Sequence, residues 1–161
     1  MMVRLEVVNP KVAILSAVES VNPAIPSTLD AAALCKMVER GQITGAIVDG
    51  PLAFDNAISS DAARIKKIKS PVAGDPDLLM VPNLEAGNIL FKQLQYLAGA
   101  LAAGVVVGAK VPVVLTSRAD GELARMLSCE MCIRDRCREV EGSRSKNQRT
   151  MGGSITPGSV P

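Results

Sequence analysis

Short aliphatic runs, each followed by a polar loop and then by residues at helical spacing, set the tightest limit on what this chain can fold into. The run 11–17 (KVAILSA) predicts a buried strand. Pro23 and Pro26 end it. Ser27-Thr28-Leu29-Asp30 has the pattern of a capping box with Asp in place of Glu, and Leu29, Ala33 and Met37 mark a helix that Gly41 stops. Residues 45–48 predict a second strand closed by the turn Asp49-Gly50-Pro51. Ser59 or Ser60 is placed to cap a helix running to Lys66, and 70–76 is strongly turn-like. A third strand is expected at 77–81, then a long apolar helix after Pro82-Asn83-Leu84-Glu85-Ala86-Gly87-Asn88. Residues 105–107 and 111–115 are further strand candidates, and Thr116-Ser117-Arg118-Ala119-Asp120 is expected to leave the last of them and open another helix. Strands alternating with helices predict right-handed βαβ units: an α/β fold with a mostly parallel sheet and helices on both faces.

Composition narrows the function. The chain is 48% apolar but only 2% aromatic, so its core is built from Ala, Val, Leu, Ile and Met. Single-stranded nucleic acid, which needs aromatic platforms for its bases, is a poor fit as a partner. Of 18 basic and 16 acidic residues, six and four lie from Cys129 onward, which leaves 12 of each before it. A neutral body offers no footprint for a phosphate backbone, so no nucleic-acid partner is expected. The run Leu97–Ala109 is thirteen residues with three glycines, too short to span a bilayer. A soluble cytoplasmic protein without a membrane partner is the expectation. Histidine is absent, which excludes Ser-His and Cys-His nucleophile pairs and His-ligated metals within the chain. Cys129, Cys132 and Cys137 match no standard four-ligand zinc spacing, and Cys35 reads as a small core residue.

In parallel sheets, ligands gather at the carboxyl ends of the strands. Three polar loops are expected there: Asp49-Gly50-Pro51, 82–88 and 116–120. The last two lead into helix N-termini, where free backbone N–H groups favour anions, and the Arg118 guanidinium adds a fork suited to phosphate or carboxylate. Plain alternatives stand beside these readings. Ser117 and Asp120 could cap a helix with Arg118 solvated, Glu85 and Asn88 could be first-turn residues, and Asp49-Gly50-Pro51 could be an ordinary turn.

The segments 49–57 (DGPLAFDNA), 70–74 (SPVAG), 82–88 (PNLEAGN) and 115–120 (LTSRAD), in that order, resemble the phosphate acetyl/butyryl transferase family. The wording is nearest to phosphate butyryltransferases and to the transferase half of bifunctional enoyl-CoA hydratase/phosphate acetyltransferases. The likeness covers about 10–128. It implies an isocitrate-dehydrogenase-like fold of which this chain is the C-terminal part: 8–103 in the second domain, and 104–128 starting the return to a first domain without counterpart here. It also implies reversible acyl transfer between acyl-CoA and inorganic phosphate, giving acyl phosphate and CoA. Coenzyme A is then a co-substrate, no cofactor stays bound, no metal is needed, and the full-length protein is a homodimer. By resemblance, Ser117 hydrogen-bonds the developing oxyanion, Arg118 holds phosphate or carbonyl oxygens, and Asp120 joins them as a weaker catalytic candidate. Asp49, Gly50, Glu85, Gly87 and Asn88 are candidate substrate-binding residues. Ala124 and Tyr96 stand where acetyl-specific members carry an aspartate and an arginine, which leaves the general base unassigned and leans toward the butyryl-like branch. A non-catalytic CoA- or phosphate-binding module and an inactive remnant remain alternatives. The segment 129–161 is expected to be a non-native or disordered tail, since 131–136 (MCIRDR) resembles translated sequencing-adapter DNA.

Overall fold

A computed structural model describes residues 7–109, 111 and 113–134. They divide into two compact units, one reaching to Ala100 and one beginning at Leu101.

The first unit is α/β. Its elements are β1 (Lys11–Leu15), α1 (Pro26–Glu39), β2 (Ile47–Leu52), α2 (Phe54–Ile58), α3 (Ser60–Ile65), β3 (Leu78–Met80) and α4 (Leu84–Tyr96). The three strands form one parallel sheet in the order β2-β1-β3, as the alternating pattern predicts. β1 lies in the middle, paired on both sides, and Val12, Ala13, Ile14 and Leu15 are all buried. A central parallel strand is covered on both faces, which is why 11–17 reads as a continuous apolar run rather than an alternating one. Ala13, Leu15, Leu52, Ala57 and Val72 make the core, with Ile68, Leu79, Val81 and Leu90 packed against it.

The expected helix start at Ser59 holds, while α4 begins earlier than expected, at Leu84 inside the 82–88 loop. Ser59 accepts a hydrogen bond from the Ala62 amide into α3, and Asn83 accepts one at 2.8 Å from Ala86 into α4. Replacing Asn83 by Ala should destabilise the unit by about 1 kcal/mol, the usual worth of such a cap, read from the urea midpoint. The capping box at Ser27–Asp30 does not form. α1 starts two residues earlier, with Pro26 in its first turn and Ile25 as an N-cap without a side-chain bond. Thr28 is instead buried beneath the preceding loop, its hydroxyl 2.9 Å from the amide and carbonyl of Asn22 and 2.8 Å from the Ile25 carbonyl. Ser27, the residue such a box would cap through, lies inside the helix with its hydroxyl bonded to Ser16 at 2.8 Å.

A second correction concerns Asp49-Gly50-Pro51. It is no turn but the later part of β2, with a cis Gly50–Pro51 bond and a register shift between Ala13 and Leu15 of the neighbouring strand. Gly50 is there because β1 is so close. A Cβ at this position would lie 2.7 Å from the Ile14 carbonyl oxygen and 2.8 Å from the Ile14 Cβ.

The entry to β3 is tied to the start of β1. The Lys11 amide donates to the Asp77 carboxylate at 2.8 Å, and the Lys11 ammonium meets Asp75 at 2.7 Å. That hydrogen bond and the attached charge hold the Asp75 carboxyl below its ordinary 3.8 and raise the Lys11 ammonium above 10.5. A depressed aspartate stabilises the fold above its unfolded value and stops doing so as pH falls through the folded one. A raised lysine does so below its unfolded value and stops as pH rises through the folded one. Unfolding of the wild type compared with Lys11→Met should therefore differ most between those limits, and the difference should shrink in acid and again in strong base.

In the second unit, the strands expected at 105–107 and 111–115 reduce, among the described residues, to one antiparallel bridge between Val106 and Val113. Gly108, at φ +89°, lets the chain double back between them. A local reversal needs no crossover, and Val107, Val111 and Leu115 stay exposed instead of entering a sheet. A helix then occupies 122–134, with Ala124, Ser128 and Cys132 buried along one face. Ser128 donates to the Ala124 carbonyl at 2.7 Å and accepts from the Gly104 amide at 3.0 Å. This helix includes the first six residues of the expected tail, while 135–161 and Cys137 lie outside the described residues. No described helix is long and apolar enough to cross a membrane.

Candidate functional site

The carboxyl ends of β1 and β3 open into a cavity of about 510 Å³, within the range of small-molecule sites. Leu15, Ser16 and Ala17 line it from the end of β1, Val81 and Pro82 from just beyond β3. Ser27 enters from the first turn of α1, Phe54 from the start of α2, and Ala86, Leu90 and Gln93 from one face of α4. The Ser16 and Ser27 hydroxyls are hydrogen-bonded to each other at 2.8 Å.

This is where parallel sheets collect ligands, but the residues are not those expected from sequence. Asp49, Gly50, Glu85, Gly87 and Asn88 do not line the cavity. Asp49 is half-buried in β2, its carboxylate accepting from the Gly50 amide at 2.9 Å. The Gly50 carbonyl accepts from the Cys35 thiol at 3.4 Å. Burial, with the Asp49 charge behind it, pushes that thiol's pKa up, so Cys35 is held as a neutral packing group rather than a nucleophile. Gly87 lets α4 lie close to the end of β3, since a Cβ there would come within 2.9 Å of Val81. Glu85 and Asn88 are exposed on the first two turns of α4. Asn88 borders a separate, more open recess of about 360 Å³ along that helix, with Lys92 and Tyr96. Sequence reasoning missed Ser16, Ser27 and Phe54. The loop after the first strand meets the same strand-end rule as the others, but Ser16 and Ser27 carry no charge to mark them.

In the second unit, Ser117, Arg118 and Asp120 form a tight turn. The Asp120 carboxylate accepts from the Ser117 amide at 2.7 Å, the Asp120 amide donates back to the Ser117 carbonyl at 3.1 Å, and Ser117 Oγ accepts from the Ala119 amide at 3.3 Å. The helix begins only at 122 and, among the described residues, no strand beyond the Val113 bridge precedes the turn, so the expected strand-to-helix junction is not seen there. Arg118 is exposed; its carbonyl accepts from the Arg125 guanidinium at 3.5 Å. Ala124, where the resemblance sought an aspartate, faces inward at 5% exposure. No group of His, Cys, Asp and Glu among the described residues could hold a metal ion.

The parallel sheet and its strand-end cavity define an α/β ligand-binding fold. Residues 1–126 match the family described as Phosphate acetyl/butaryl transferase. The chain belongs to that family. It is 65% identical over 121 residues to the phosphate acetyltransferase of Rhizobium meliloti, covering 75% of this chain and 38% of that protein. It is 52% identical over 120 residues to the phosphate butyryltransferase of Clostridium acetobutylicum, covering 74% and 40%. Among solved structures it is similar to a branched-chain phosphotransacylase from Enterococcus faecalis, with a TM-score of 0.73 and 38% identity over 83% of this chain and 48% of that one. The chain thus spans about two-fifths of the length of these curated relatives. Relatives bearing either name match, so the features noted at Tyr96 and Ala124 do not sort the chain to one of them.

Proposed function

We propose that this chain is part of a phosphate acyltransferase, which moves an acyl group reversibly between coenzyme A and inorganic phosphate. The observation that carries the reading is the family match over 1–126, which runs through the 117–120 turn. No bound cofactor enters the chemistry; coenzyme A is a co-substrate. In the direction of CoA acylation, the thiol attacks the carbonyl of the acyl phosphate, a tetrahedral oxyanion forms, and phosphate leaves. The protein's share is to hold the reactants in line and to meet the new negative charge with fixed donors.

Ser117 is the proposed hydroxyl donor to that oxyanion, and Arg118 the fork for the phosphate oxygens. Asp120 acts on the loop: by binding the Ser117 amide it fixes the turn that presents the hydroxyl. Glu85 and Asn88 are the proposed polar substrate contacts on α4, which Gly87 lets lie close to Val81, and Asp49 and Gly50 are proposed substrate-binding residues on β2. The full-length protein is expected to be a cytoplasmic homodimer, to be read by sedimentation and fractionation.

Thiol release from butyryl-CoA and acetyl-CoA in the presence of phosphate tests the reading, with Ser117→Ala as its control. A chain that binds CoA without releasing thiol would instead be the binding module.

A further inference from the structure

We propose that the cavity at the carboxyl ends of β1 and β3 holds the acyl chain of the substrate, an inference that rests on the acyltransferase reading. The lining carries the argument. Among the described residues no charged side chain borders the cavity, so it does not suit inorganic phosphate or the phosphates of coenzyme A, which require cationic or backbone partners. Its walls are hydrocarbon: Leu15 at 5% exposure as the floor, with Val81, Ala86 and Leu90 at the sides. Its principal polar feature is the hydrogen-bonded pair Ser16–Ser27. A neutral aliphatic chain fits such a space: a short acyl group lying along Leu15, Val81 and Leu90, with Ser16, Ser27 and Gln93 as the polar part of the lining. Phe54, 40% exposed at the cavity's edge, sets how long a chain can be covered.

Calorimetric titration of the whole chain with CoA, acetyl-CoA, butyryl-CoA and hexanoyl-CoA tests this. Affinity should rise about fourfold per added methylene until the pocket is full, as expected for burying each CH₂. Ala86→Leu, which fills the space from α4, should collapse the spread among chain lengths. Phe54→Ala should move the preferred chain to a longer one. If one variant fails to fold, the other decides. The proposal is overturned if CoA binds but chain length makes no difference, or if both folded variants keep the wild-type spread. If neither CoA nor any acyl-CoA binds and no thiol is released, the acyltransferase reading itself fails, and the pocket with it.

Discussion

Gly74→Ala should cost about 3 kcal/mol or more and leave the first unit largely unfolded at modest urea. Two independent effects add. Gly74 sits at φ +88°, where an L side chain costs about 1–2 kcal/mol. A Cβ there would also come within 2.6 Å of the Ser60 Cα and 2.8 Å of its amide nitrogen. Overpacking of this kind typically costs about 1–3 kcal/mol, and here the obstacle is backbone, which cannot swing aside. The Gly74 amide donates to the Ala57 carbonyl at 2.8 Å, and Ser60 Oγ donates to the Gly74 carbonyl at 3.2 Å, so the loop has little room to yield. The urea midpoint followed by circular dichroism checks it. A variant as stable as the wild type would mean that 70–76 does not pack against the start of α3.

Ser117→Ala is expected to lower thiol release by about 10²–10³-fold, the usual loss when one oxyanion donor is removed. The fold should be spared. Ser117 is only partly buried, and its side chain makes one long bond to the Ala119 amide. Asp120→Asn should act more mildly, because an amide oxygen can still accept from the Ser117 backbone. Equal losses in the two variants would argue that the turn's shape, not the hydroxyl, sets the rate.

Much of the first unit is legible in the sequence because its signals are local. The buried run of β1, the cap at Ser59 and the stop at Gly41 each report on a few neighbouring residues. Misreadings occur where a distant partner decides. Gly50 and Pro51 carry ordinary turn chemistry, yet pairing with β1 keeps them in a strand, and Gly50 serves the close approach of Ile14. α2 is five residues long, too short for a helical period to declare itself. The valines of 105–107 and 111–115 have strand propensity but no neighbouring strand to satisfy it beyond their own reversal. The site divides in the same way. Ser117 and Arg118 satisfy the strand-end rule in sequence, but their roles come only through resemblance to a family, since a Ser-Arg pair in a turn is chemically common. The cavity draws its wall from five separated stretches of chain, and no single stretch announces it.

The sheet order has a consequence for synthesis. The strand made first is the one that ends up in the middle, and its partners arrive at Ile47 and only later at Leu78. As the nascent polypeptide leaves the ribosome, Val12 to Leu15 wait with one flank open until β2 has emerged and with the other open until β3 follows, and an unpaired aliphatic stretch is prone to stick to other chains. Chaperone dependence during translation should therefore ease once the segment around Met80 clears the exit tunnel.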